Sequence, residues 1–114
     1  MVKNIYLISA FLGEERLYKI GITKRKVEKR IKELQTGNPA EFNIENVYVA
    51  DNYAVNIEKN LHRYFREKKI NGEWFYLDQD DIDQFTELCE MYYETFDLVQ
   101  NNNTYIEERG ITIK

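Results

Sequence analysis

The spacing of hydrophobic positions switches between two and about 3.6 residues along the 114-residue chain, and each switch marks an expected element. Residues 4–9 and 17–22 are β-branched and aromatic and flank a polar break, Gly13-Glu14-Glu15, which is the pattern of a hairpin. From residue 24 the apolar positions are Val27, Ile31 and Leu34, predicting a helix over 24–35 that Gly37 and Pro39 terminate. Residues 44–50, with Val47, Tyr48 and Val49, predict a third strand. Asp51 or Asn52 is placed to cap a second helix whose inward stripe is Ala54, Ile57, Leu61, Tyr64 and Phe65. Ile70-Asn71-Gly72 reads as a turn, and Trp74 to Leu77 as a short strand or extended anchor. One long helix is expected over 79–99, burying Ile82, Phe85, Cys89, Tyr92, Phe96 and Val99 and carrying Asp80, Asp81 and Asp83 at its positive end. Asn101-Asn102-Asn103 should break it, leaving 105–114 as a small hairpin or added edge strand.

These elements define an α/β chain of the α+β kind, with an acidic C-terminal helix added. Residues 1–78 form the expected body, and 79–114 a helix and tail packed on the same domain. Hydrophobic residues make up 43% of the chain, enough for one core. With one Cys and one His, neither a disulfide framework nor a Cys/His zinc cage can be built from a single copy. A reducing, intracellular setting is expected (the cytoplasm, or a host cell if the chain is viral). No apolar run is long enough to span a membrane.

The net charge of −4 conceals two unlike regions. Residues 1–77 hold 14 Lys/Arg against 10 Asp/Glu, whereas residues 78–114 hold 2 against 10. Between residues 16 and 34, eight cations (Lys24, Arg25, Lys26 and Lys29 among them) face only Glu28 and Glu33. That excess is suited to phosphate contacts and salt-dependent binding of nucleic acid, although a solvated helix face would look the same.

Several chemistries lack their residues. His62 would have to serve any Ser or Cys nucleophile, and Ser9 and Cys89 sit in stretches that read as strand and core helix. No phosphate-cradling Gly-rich Lys loop and no dinucleotide fingerprint is present. What remains is a set of polar residues beside buried positions: Tyr6, Lys19, Arg30, Glu58 and His62. Glu58 and His62, four apart, share one helix face, either as a solvated Glu–His contact or with the carboxylate holding a metal. Arg30 can aim at a phosphate or pair with Glu33 or Glu58. Tyr6 is either a core aromatic or a reactive phenol.

In their order along the chain these residues resemble the GIY-YIG nuclease superfamily. Asn4-Ile5-Tyr6 is similar to its first strand motif and Lys19-Ile20-Gly21 to its second, with Arg30 in the next helix and Glu58 in the one after. The branch most similar is that of phage DNA-binding domains and a meiotically up-regulated yeast protein. The matching residues are Tyr18-Lys19-Ile20-Gly21-Ile22-Thr23, Arg30 to Leu34 with Gln35-Thr36-Gly37-Asn38-Pro39, Glu58 with Leu61-His62, and Gly72-Glu73-Trp74-Phe75. The resemblance spans about residues 4–78. Asn4 replaces the first glycine, Lys19 the first tyrosine of the second motif, and Leu34 a histidine common in other members.

The resemblance implies a three-stranded antiparallel sheet flanked by helices, and metal-dependent hydrolysis of DNA phosphodiester bonds with Mg²⁺ or Mn²⁺. Glu58 would bind the ion and Arg30 neutralise charge on the phosphorane. Tyr6 would take a proton from water once its pKa is lowered from about 10 by a neighbouring cation, for which Lys19 is suited. His62 would be a second proton acceptor or a phosphate donor. A DNA-binding module without catalysis, and an interaction protein or homodimer using the acidic helix, are the alternatives.

Overall fold

The structure, a computed structural model, describes residues 2–108, those beyond 101 by backbone alone. Strands β1 (Lys3–Leu12) and β2 (Glu15–Thr23) form the hairpin, in register from Asn4 opposite Thr23 to Leu12 opposite Glu15. Gly13 closes it at φ 70°, a left-handed position that costs glycine nothing. Strand β3 (Phe42–Ala50) pairs antiparallel with the other side of β1, with a register shift between Leu7 and Ile8. Beyond the expected three strands, β4 (Lys69–Asn71) and β5 (Trp74–Phe75) form a miniature hairpin on the free edge of β2. The sheet is therefore five-stranded and antiparallel, in the order β3-β1-β2-β5-β4. All three β4 residues are exposed, so no alternation announces them as a strand.

Helix α1 covers Val27–Gln35, starting later than expected. The Thr23 hydroxyl accepts a hydrogen bond from the Arg25 amide at 3.2 Å, and this local turn holds residues 24–26 out of the helix. Helix α2 is Ala54–Tyr64. Neither Asp51 nor Asn52 caps it; Tyr53 stands at the N-cap with φ 65° and no capping side chain. Asp51 instead accepts a hydrogen bond from the Tyr93 hydroxyl at 2.6 Å, tying it to the C-terminal helix.

The expected single helix over 79–99 is two, α3 (Gln79–Asp83) and α4 (Phe85–Glu108), separated by Gln84. Asp78 and Asp81 cap α3 reciprocally, and Lys68 pairs with both carboxylates. The asparagine run does not end α4, since Asn is only a few tenths of a kcal/mol poorer than average in a helix. Residues 105–108, expected in a hairpin or edge strand, are helical, and 109–114 lie outside the described residues.

Helices cover both faces of the sheet unequally. Ile5, Leu7, Tyr18 and Ile20 meet Ile57 and Leu61 of α2, Phe75 of β5, and Phe85, Leu88 and Cys89 of α4. On the other face Tyr6 and Ile8 meet Val27 of α1, flanked by the partly buried Ile31, Leu34, Phe42 and Val47. Tyr64 and Val99, expected in the core, are 51% exposed. Among the described residues no helix is long and apolar enough to cross a membrane.

Candidate functional site

The hairpin register sets Tyr6 opposite Gly21. A Cβ at residue 21 would lie 2.2 Å from the Tyr6 hydroxyl oxygen, so the phenol ring lies across the space that glycine leaves free. Gly21 is needed here for room rather than for an unusual backbone angle. The Arg30 guanidinium, from α1, reaches the Tyr6 hydroxyl and lies 3.4 Å from Glu33.

Burial raises the Tyr6 pKa above its ordinary value, and the Glu73 and Glu58 carboxylates add to the rise while Arg30 opposes it. The expected lowering by Lys19 is therefore not found. The Lys19 ammonium instead pairs with the Glu73 carboxylate and sits 5.7 Å from the centre of the Trp74 ring. The cation that serves Tyr6 is Arg30.

Helix α2 brings in Glu58 and His62, each one step round from a fully buried neighbour, Ile57 or Leu61. Strand β5 is only two residues long, so its pairing with β2 ends at Lys19 opposite Trp74. Past that point the Ile20 amide donates to the Glu73 carbonyl at 3.3 Å, and the Ile20 carbonyl accepts from Nε2 of His62 at 3.0 Å. A carbonyl can only accept, which fixes the proton on Nε2 and leaves Nδ1 of the neutral ring with its lone pair. The ring is held edge-on to Phe75, with centroids 5.0 Å apart.

Oxygen Oε2 of Glu58 is buried with no hydrogen-bond partner. Burial raises the Glu58 pKa, the Glu73 charge raises it further, and Lys19 and Lys59 offset part of the rise. One ligand atom each from Glu58, His62 and Glu73 lie within 4.8 Å of one another. Two carboxylate oxygens and an imidazole nitrogen, one oxygen left without a partner, fit a hard divalent cation such as Mg²⁺ or Mn²⁺. The sequence reading had only Glu58 at this point. Glu73 was missed as a member of the cluster, although the turn Asn71-Gly72 ahead of an aromatic segment is the signal that would have placed it at a sheet edge.

Of the basic residues, Lys24, Lys26 and Lys29 are exposed at the start of α1 and have no ion-pair partner among the described residues. Arg25 does not join them freely, because both its terminal nitrogens bond Glu33, one at 2.7 Å. Arg16 pairs with Glu45 and donates to Ser9 at 3.2 Å. Asn4, standing where the resemblance expects glycine, donates from Nδ2 to the Arg25 carbonyl at 2.9 Å and so fixes the approach to α1.

A mixed α+β domain emerges, with a five-stranded antiparallel sheet carrying a polar cluster at the margin of β2. The profile of the T5orf172 domain matches residues 4–90, and the chain belongs to this family, found in phage-type and GIY-YIG-like endonuclease-related proteins. The match runs past β5 and α3 into α4. No curated protein and no solved structure matches the chain significantly.

Proposed function

We propose that the protein is a metal-dependent DNA endonuclease of the GIY-YIG type. The observation that carries this reading is the buried, unpartnered Oε2 of Glu58, beside His62 and close enough to Tyr6 to influence its ionisation. Glu58 would hold Mg²⁺ or Mn²⁺, which would supply Lewis-acid stabilisation of charge on the scissile phosphate and the leaving oxygen. Arg30, a fixed cation beside the Tyr6 hydroxyl, neutralises charge developing on the phosphate. Tyr6 accepts the proton of the attacking water, with Arg30 favouring the phenolate against the burial that opposes it. His62 is held through Nε2 at the sheet edge, beside Glu58. Lys24, Lys26 and Lys29, with Arg25 beside them, line the approach of the DNA backbone.

The test is incubation of wild type and Glu58→Ala with supercoiled plasmid in Mg²⁺, Mn²⁺ or EDTA, scored for nicked and linear product. Metal-dependent cutting that disappears in the variant is the expected result. Salt-sensitive DNA binding without cutting in either protein would leave a binding module of the same fold.

A further inference from the structure

Glu73 lies in the turn between β4 and β5, and nothing in the reading above requires it. Its carboxylate nonetheless meets three groups of the site at once. It pairs with Lys19, and one of its oxygens lies within 4.8 Å of a ligand atom of Glu58 and of one of His62. Two carboxylates gathered this closely repel, and Lys19 is the counter-charge that holds them together. The Lys19 side chain is only 11% exposed, whereas Glu73, at 43%, stays open to solvent and so to an incoming ion.

The rest of the arrangement is what a metal ligand set requires. His62 donates through Nε2 to a backbone carbonyl, which is how metal-binding imidazoles are commonly oriented, with the other nitrogen free to coordinate. The backbone leading out of Glu73 is fixed: its own carbonyl accepts from Ile20, and Trp74 next to it is registered against Lys19. Glu58 Oε2 is left without a protein partner inside this frame.

We infer that Glu73 is a second carboxylate ligand, completing with Glu58 and His62 a three-residue divalent-cation site, and that Lys19 is the resident cation that a metal displaces from Glu73. This rests on the proposed reading that Glu58 holds a divalent ion, and it adds a role for Lys19 outside the chemistry of Tyr6. Metal binding and the Lys19–Glu73 pair then compete. Because Trp74 is the only tryptophan and the Lys19 ammonium sits over its ring, release of that pair is visible in its fluorescence.

The experiment is Mn²⁺ titration without DNA, followed by electron paramagnetic resonance of the free ion and by Trp74 emission. Wild type, Glu58→Gln, Glu73→Gln and Lys19→Met are compared, each first checked for an intact thermal transition in EDTA. Wild type should bind one ion with a change in emission. Glu73→Gln should weaken binding by about tenfold or more, a loss at least as large as that of a supporting residue. Lys19→Met should bind several-fold more tightly (about threefold or more), because a competing cation has gone. Wild-type affinity in Glu73→Gln alongside lost binding in Glu58→Gln would overturn the second ligand and leave the nuclease reading standing. Weaker binding in Lys19→Met would overturn the competition. Full binding in Glu58→Gln, or none in wild type, would remove the metal at Glu58 on which both rest.

Discussion

On one face of the sheet, Ile5, Leu7 and Ile20 meet Ile57, Leu61, Phe85 and Cys89 from two helices, all at 0–1% exposure. On the other, nine-residue α1 is the one helix packed over Tyr6 and Ile8, and the Tyr6 ring ends in a hydroxyl facing Arg30. The first face is apolar to its centre and supplies cohesion. The second, and the open margin of β2 next to it, collects groups whose charges are incompletely answered inside the chain, such as Glu58 Oε2. Cohesion and unanswered charge are thus separated between the closed face and the polar face with its margin, which allows the polar region to be strained electrostatically without unfolding the domain.

The division is tested first where its effect is largest. Leu61→Ala, in the closed face, should cost about 2–5 kcal/mol in urea unfolding, the range for deleting a buried leucine side chain. Val27→Ala, beneath α1, should cost about 1.5 kcal/mol, near the lower end for a buried valine. Equal losses would break the comparison.

Gly21→Ala should cost about 1–3 kcal/mol by overpacking, since the new methyl meets the Tyr6 ring and not a flexible side-chain end. A further substitution of Tyr6 by Val in the same chain should recover part of that loss, because the two positions share one contact. Simple additivity in unfolding measurements would mean that the ring and the glycine are not coupled.

The smallest effect concerns Glu58 in the protein without metal. Its pKa is raised on folding, so the native state binds its proton more tightly than the unfolded chain does. Its contribution therefore becomes less favourable as pH rises from the ordinary carboxylate value of 4.5 through the folded one, and stays so above it. Glu58→Gln should accordingly melt higher than wild type at pH 7 in EDTA, with the gap closing towards pH 4. A lower melting temperature at pH 7 would show that the charged carboxylate is satisfied after all.

What could be read from the sequence followed the range over which its patterns act. Glu58 and His62, one helical turn apart, were found as a pair because spacing on a helix is local. Tyr6 and Arg30 were selected because each stands next to a core position, and the structure brings them together. The Lys19–Glu73 pair was not legible: its members are 54 residues apart and meet only because β5 docks on β2. Strand β4 was read as part of a turn because three exposed residues carry no period, and β5, expected as a short strand, gave no sign of pairing with β2. The direction of the Tyr6 shift went wrong for a different reason. Sequence shows which charges are near in the chain, whereas the sign here is set first by depth of burial, then by carboxylates from α2 and the β4–β5 turn. Asp51 was a sound capping candidate that Tyr93, 42 residues later, engages instead.

In the proposed nuclease the Tyr6 hydroxyl serves the reaction and the Tyr6 ring the core, and Tyr6→Phe separates them. The decisive measurement is single-turnover cleavage of plasmid DNA in Mn²⁺ over a range of pH, alongside the thermal transition and DNA affinity of the same protein. Cleavage should be about 10²–10⁴-fold slower, with stability and affinity near wild type. The wild-type rate should still rise at pH 9, since burial holds the phenol's pKa above its ordinary value of about 10. Wild-type cleavage by Tyr6→Phe would remove the hydroxyl from the reaction, as would a pH profile that is flat from neutrality upwards.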